Sequence, residues 1–152
     1  RLVGEKRFDG TEEFRVVEWI AFASNAFNVI TPFYANVSAT PDYLANTTKE
    51  VSTDNYYWSS RMIAAMADAS YSKSVFHIER YQLAVQSQGH ALIGQYDEKL
   101  RWDADSAKRA VLRERANQEI ADMLKKETAD TLNKVLFELS SQMKNAYSRS
   151  DA

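Results

Sequence analysis

The chain has 152 residues, 45% of them hydrophobic and 26% charged, and this composition is typical of one globular domain and not of a disordered chain. The formal net charge of −2 gives no basic footprint for nucleic acid or an anionic membrane surface, and no apolar run approaches the ~18 residues of a membrane span. Cysteine is absent, which excludes disulfides, thiolate zinc sites and a cysteine nucleophile from this chain and fits a reducing compartment.

The first elements predicted along the chain are strands. Residues 2–7 are expected to pair with residues 15–23 through a tight turn, because Asp9 and Gly10 tolerate the positive φ angles of a hairpin. The chain begins as though inside a strand, without an initiator methionine. We therefore expect residues 1–37 to contribute about three strands to a larger sheet.

The strongest strand signal lies in two aromatic and β-branched runs, residues 16–23 and 27–34. Only three residues separate them, so they are predicted to form adjacent antiparallel strands, with Pro32 at an end or edge position. The first run is apolar at nearly every position, which indicates a strand covered on both faces. The helices that follow supply one cover, and the sequence contains no obvious second one.

Residues 38–54 are polar and predict a loop with one helical turn at residues 41–45. Helical spacing follows over residues 55–70, with a break predicted at residues 70–72. The apolar side of this helix is predicted to contain Trp58, Met62, Ala65 and Met66.

The next helix is defined by apolar residues at intervals of three and four, with Gly89 on the same stripe, where a glycine suggests close packing or a kink. Residues 97–103 are predicted to form a connector, although helix could continue through part of it. The stripe contains Tyr71, Val75, Ile78, Tyr81, Val85, Leu92 and Tyr96.

The last helix is predicted to start at Asp103 or Asp105 and to end near Asn145, with a kink at residues 125–129 as the alternative. Residues 146–152 are typical of a C-terminal tail. The helices thus occupy residues 55–145 of a single segment, 1–152, of one larger domain. The predicted apolar side of this helix contains Val111, Ile120, Leu124, Leu132, Val135, Leu136, Leu139 and Met143.

The chain contains two histidines, and neither completes a metal-binding pattern. His77 and Glu79 match the His-x-Glu half of a zinc deaminase motif, but the Cys-x-x-Cys half cannot exist here. His90 lies thirteen residues further on and completes no ligand spacing. A pair on a helix surface is the favoured interpretation, and no metal or other cofactor is expected.

Three acids fall at the first, third and twelfth positions of a calcium loop, namely Asp103, Asp105 and Glu114. Ala107 and Lys108 stand where an oxygen ligand and the turn glycine are needed. Asp103 and Asp105 are better explained as acids at a helix N-terminus.

Aromatic residues near the strands could line a pocket, but core packing is the stronger interpretation. Asn25 and Asn28 flank the strand turn, where they could be pocket donors or simply turn residues. The aromatic set is Trp19, Phe22, Phe27, Phe33, Tyr34, Tyr56, Tyr57 and Trp58.

The order and spacing of several short motifs resemble the C-terminal third of the bacterial cysteine dipeptidases of the N-terminal-nucleophile hydrolase superfamily. The resemblance covers almost the whole chain. The motifs are Trp19-Ile20-Ala21-Phe22, Pro32-Phe33-Tyr34 with Asn36, Asn46-Thr47-Thr48, Asp54-Asn55-Tyr56-Tyr57-Trp58 with Arg61, and Met143-Lys144-Asn145 with Ser148-Arg149-Ser150-Asp151.

This resemblance implies a four-layer αββα sandwich and cleavage of dipeptides by a mature N-terminal cysteine, with no metal. Position 1 is Arg1, so the nucleophile is expected upstream and no catalytic residue is assigned within this chain. Asn25, Phe33 and Tyr34 are the weak candidates for substrate binding.

The sequence therefore predicts an α+β segment of a cytoplasmic, homo-oligomeric dipeptidase that is inactive without its N-terminal part. That part and the dipeptide are its expected partners, with no nucleic acid and no membrane. The alternative is a non-enzymatic interaction or assembly module, which would differ in what covers the open sheet face. A helical protein of the membrane surface is disfavoured because the polar helix faces are mixed in charge.

Overall fold

The computed structural model describes residues 2–6, 16–22, 24 and 26–143, and for residues 2–6 it describes the backbone alone. Three short strands precede four helices, which confirms the α+β class. The elements are β1 (Leu2–Lys6), β2 (Val16–Ile20), β3 (Thr31–Tyr34), α1 (Asp42–Ala45), α2 (Tyr56–Ala69), α3 (Tyr71–Trp102) and α4 (Ser106–Ser141).

The strands form an antiparallel sheet in the order β1-β2-β3. Val17 lies opposite Tyr34, and Trp19 lies opposite Pro32. The turn predicted at Asp9 and Gly10 lies outside the described residues.

Strands β2 and β3 are shorter than the two predicted runs, residues 16–23 and 27–34, because polar side chains bind the backbone between them. The Asn28 side chain donates to the carbonyl oxygen of Phe22. The Gln82 amide donates to the carbonyl oxygens of Ala26 and Asn28, at 3.3 and 3.0 Å. Side-chain hydrogen bonds of this kind compete with a strand ladder, so residues 26–30 form a loop and β3 begins only at Thr31.

One face of the sheet packs on α3. Side chains alternate along a strand, so Pro32 and Tyr34 share a face, and the Tyr34 hydroxyl donates to the Asp97 carboxylate at 2.7 Å. A Cβ on Gly89 would lie 2.8 Å from the Pro32 ring, so this glycine allows close packing of α3 on β3. The other interpretation of Gly89, a bend, is not needed, since α3 runs unbroken.

The opposite face is covered along β3 and partly open along β2. Thr31 and Phe33 are buried, whereas Val16 is 41% exposed and Ile20 is half-buried. A second sheet stacked on this face, as the resemblance implies, stays a prediction.

The predicted connector at residues 97–103 is wrong in extent, because α3 continues to Trp102 with Leu100 buried in the core. The kink predicted as an alternative near residues 125–129 does not occur. Leu124, Thr128 and Thr131 are all buried, so the inward face of α4 continues through this region without interruption.

The inward face of α4 differs from the predicted apolar side. Val111 and Leu136 are 64% and 50% exposed, while Arg113 and Asn117 are buried. Arg113 donates from Nε to the carbonyl oxygen of Asn36 at 2.8 Å, which explains how a charged side chain is accommodated there.

The predicted face of α2 is also partly wrong, since Ala65 is exposed and Ser59 and Ser60 are buried. Both hydroxyls donate to backbone carbonyls, those of Thr53 and Tyr57, so the small serines can face the core without leaving a donor unpaired. Among the described residues no helix is long and apolar enough to cross a membrane.

Candidate functional site

The structure describes two of the three candidate residues for substrate binding. Asn25 lies outside the described residues, and Phe33 and Tyr34 are buried, at 5% and 1% exposure. Phe33 and Tyr34 belong to one core cluster with Val17 and Ile93. Within this chain they act in packing, and their contact with a substrate stays a prediction.

The Tyr34 backbone is bound by a helix and not by another strand. Its N–H donates to Oδ1 of Asn117 at 2.8 Å, and its carbonyl oxygen accepts from Nδ2 of the same side chain at 3.0 Å. The N–H and carbonyl groups of Tyr34 both point away from β2, so the Asn117 side chain closes this edge of the sheet. Pattern analysis cannot anticipate this contact, because a buried Asn on a helix has no distinctive spacing.

A pocket of about 270 Å³ lies between the loop that follows β2 and helix α3. Asn28 is 3% exposed, and its Oδ1 is buried without a hydrogen-bond partner among the residues the structure describes. The pocket is lined by Ala21, Asn28, Ile30, Gln82 and Gln86.

Neutral amides dominate this pocket, and the described residues that line it include neither a nucleophile nor an acid or base near neutral pH. Asn28 therefore combines the two roles left open from the sequence, since it pins the turn and lines a pocket. Gln82 was not anticipated, because it lies in α3 and its role depends on a loop 54 residues earlier.

The two histidines contact different parts of the fold, as expected from their separation of thirteen positions in the sequence. Nε2 of His77 lies 3.4 Å from Oε1 of Glu138 on α4, whereas Glu79 is exposed. His90 stacks on Trp19, with ring centroids 4.6 Å apart. Over the described part of the chain no three His, Cys, Asp or Glu side chains come together as a metal-binding group.

The acids of the calcium-like pattern cap a helix. Oδ1 of Asp105 accepts from the N–H groups of Ala107 and Lys108, which confirms its prediction as a helix N-terminal acid. Asp103 accepts from the Asp105 N–H, and Glu114 accepts from the Ser38 N–H instead of facing the other two acids.

Three tyrosines of a second core cluster, Tyr43, Tyr56 and Tyr81, have raised pKa values. Burial raises the pKa of Tyr43, Tyr56 and Tyr81 above the ordinary value of 10.0, most strongly for the two more deeply buried hydroxyls. The Tyr81 hydroxyl also lies 2.8 Å from Oγ1 of Thr128, a bond that opposes part of that shift. These groups stay protonated in the fold and offer no base near neutral pH.

Because these tyrosines are buried, we expect the free energy of unfolding to fall in alkali. A raised tyrosine pKa leaves its contribution intact below pH 10.0 and removes it as pH rises above that value, because only the unfolded chain can ionise freely there. We expect the tyrosinate absorbance of the buried set to appear together with loss of helical circular dichroism. Full tyrosinate absorbance in a folded protein would contradict this prediction.

A model of peptidase family C69 matches residues 4–84, which is more than half of the chain. The chain belongs to peptidase family C69. The match begins inside β1, includes β2, β3, α1 and α2, and ends inside α3. This confirms the family predicted from the sequence motifs.

Among curated proteins, this C69 chain is similar to several named dipeptidases. It is 39% identical over 140 residues to "Probable dipeptidase A" of Streptococcus pyogenes, which covers 92% of the chain and 29% of that protein. It is 33% identical over 174 residues to "Dipeptidase" of Bifidobacterium longum, covering 90% and 33%. "Probable dipeptidase B" of Lactococcus lactis is 27% identical, covering 92% and 29%. The chain thus spans only about a third or less of the length of these relatives.

Proposed function

We propose that this C69 chain is the C-terminal part of a dipeptidase whose nucleophile, an N-terminal cysteine, lies upstream of these residues. The family match over residues 4–84 is the observation on which the proposal rests, together with relatives that are named dipeptidases. The chain spans 29% of the Streptococcus relative, which leaves most of such an enzyme to be supplied by other residues.

The proposed chemistry needs a thiol with a base beside it. In an N-terminal cysteine the α-amino group, which titrates at roughly 7.7–8, takes the proton of its own thiol, and the sulfur attacks the peptide carbonyl of the dipeptide. The peptide C–N bond then breaks as the α-ammonium group returns the proton to the leaving amine, and water hydrolyses the resulting thioester to release the acid and the free thiol. The 152 residues contain no cysteine, so no residue of this chain is proposed as catalytic.

The part proposed for this chain is architectural. Helices α3 and α4 cover one face of the sheet, and Asn117 closes its edge at Tyr34. The partly open face along β2, where Val16 is 41% exposed, is the place we propose for the second sheet of an αββα sandwich. A catalytic centre built on that second sheet would be held at a fixed distance from this helical layer.

A second candidate is a non-enzymatic assembly module. It is supported by an apolar groove at the turn between α3 and α4, lined by Ala107, Val111 and Leu112, beside Trp102, which is 80% exposed. Exposed tryptophan is common at interfaces. Activity of the full-length protein separates the two candidates.

The test is dipeptide hydrolysis by the full-length protein encoded around this segment, with a panel of unprotected dipeptides and N-acetylated dipeptides as the matched set. We expect hydrolysis of unprotected dipeptides and its loss when the N-terminal cysteine is replaced by alanine. Absence of hydrolysis, or activity that survives the replacement, would refute the proposal. The cytoplasmic location and the homo-oligomer stay predictions.

A further inference from the structure

One flank of α3 presents apolar side chains that the rest of the described chain leaves exposed. Phe76 and Leu83 are 50% and 66% exposed, and His90 continues their seven-residue spacing. Residues seven apart lie on one side of a helix, so these three form a row. Gly94 follows His90 by four residues and extends the row, here called the α3 flank, to about 27 Å at the usual rise per residue.

The α3 flank points away from α4. The contacts of α3 with α4 come from other residues, with Tyr81 bonded to Thr128 and Gln88 bonded to Glu127. The sheet packs on the side of α3 that lies between the α4 contacts and the flank, where Gly89 meets Pro32 of β3. His90, near the C-terminal end of the flank, meets Trp19 of β2, so this end of the flank lies under the outer half of the sheet, towards β1.

Gly94 is the second observation. Among the described residues, a Cβ on Gly94 would meet nothing within 4 Å, whereas a Cβ on Gly89 would meet Pro32 at 2.8 Å. Glycine is a poor helix former, and an exposed interior position with free space has no internal need for it. A close approach by a neighbouring element would explain it, as Pro32 explains Gly89.

We propose that a further helix of the same polypeptide, outside these 152 residues, packs along the α3 flank and continues the helical layer beneath β1. The proposal rests on the proposed function, since it takes the occupant from the rest of the enzyme. The residues matched in the Streptococcus relative are only 29% of its length, so ample chain exists to supply that helix. A helix suits the row because Phe76 and Leu83 offer ridges and Gly94 offers a place of close approach.

The first test is thiol labelling of the full-length enzyme carrying Leu83→Cys, with Ala129→Cys on the exposed side of α4 as the matched control. Modification by a maleimide is read at each engineered position by peptide mass spectrometry. We expect Leu83→Cys to react at least about tenfold more slowly than Ala129→Cys in the folded enzyme, and both to react equally in denaturant. Equal rates in the folded enzyme would overturn the proposal.

Protein concentration distinguishes the occupant. Protection of Leu83→Cys that persists in the monomer supports a helix of the same polypeptide, whereas protection found only in an oligomer overturns that assignment in favour of a second copy. Dipeptidase activity is measured on the same samples. Protection without activity would remove the proposed function and leave the packing inference standing, so the two failures are distinguishable.

Gly94→Ala provides an independent check. With a neighbour packed at this point, the added methyl group should lower the melting temperature of the full-length enzyme. Without a neighbour, the better helix propensity of alanine should raise it, and that result would overturn the proposal. Asn133→Ala, at an exposed position of α4 away from the α3 flank, is the control for a change of propensity alone.

Discussion

Replacing Asn117 by leucine is expected to lower the free energy of unfolding by about 2–4 kcal/mol. The substitution keeps the branching at Cγ but leaves the Tyr34 N–H and carbonyl oxygen buried without the partners they have at 2.8 and 3.0 Å. Each buried backbone group without a partner costs about 1–3 kcal/mol, only partly offset by the apolar side chain. Urea unfolding followed by circular dichroism measures the effect.

Gln118→Leu is the matched control, because Gln118 is adjacent and exposed. It should change the free energy of unfolding by no more than about 0.5 kcal/mol. Asn117→Asp should also destabilise, since a carboxylate can accept from the Tyr34 N–H but cannot donate to the Tyr34 carbonyl oxygen. Equal stabilities of the Asn117→Leu and Gln118→Leu variants would contradict the role assigned to this amide.

Replacing Gly89 by valine should destabilise the fold by about 2–3 kcal/mol, because the new Cβ would fall 2.8 Å from the Pro32 ring. The proline ring cannot rotate away, so α3 and β3 must separate. That separation would strain the Tyr34 hydroxyl contact with the carbonyl oxygen of Ile93, now 3.2 Å. Thermal and urea unfolding of the single variant measure the total cost.

A double-mutant cycle with Pro32→Ala isolates the contact. Removing the ring atoms that the new side chain would meet should make Gly89→Val clearly less costly in the Pro32→Ala background than in the wild type. Identical costs in both backgrounds would show that the loss comes from the helix alone and would contradict close packing at this point.

The helices could be predicted from the sequence more fully than the strands. Apolar residues at intervals of three and four locate α2, α3 and α4, and the one-turn helix predicted at residues 41–45 is confirmed as α1. The buried positions on α3 also follow the predicted stripe at Ile78, Tyr81 and Val85. Local periodicity suffices for these elements because each helix satisfies its own backbone.

The features that escaped prediction depend on partners distant in the chain. Asn117 acts on Tyr34, 83 residues earlier, and Gln82 acts on Asn28, 54 residues earlier. Both are polar residues on helices, which pattern analysis assigns to the solvent side. The β-propensity of residues 27–34 likewise predicted a long strand, but side-chain bonds to the loop backbone shorten it to Thr31–Tyr34.

Candidate site residues were the least predictable feature. Phe33 and Tyr34 are both buried in the core, so neither is an accessible pocket residue within this chain. A pocket residue must be both polar and accessible, and accessibility depends on how the loop after β2 folds against α3. No periodicity in one sequence contains that information.

The central claim is that the catalytic thiol of this C69 enzyme lies outside these 152 residues. The most direct measurement is inactivation of the full-length enzyme by a thiol alkylating agent, with the modified peptide located by mass spectrometry and the 152-residue chain assayed in parallel. We expect one alkylated cysteine at the mature N-terminus, activity lost in proportion to that label, and no hydrolysis by the 152-residue chain, which contains no cysteine. Hydrolysis of dipeptides by the 152-residue chain alone, or full activity of the alkylated enzyme, would contradict the claim.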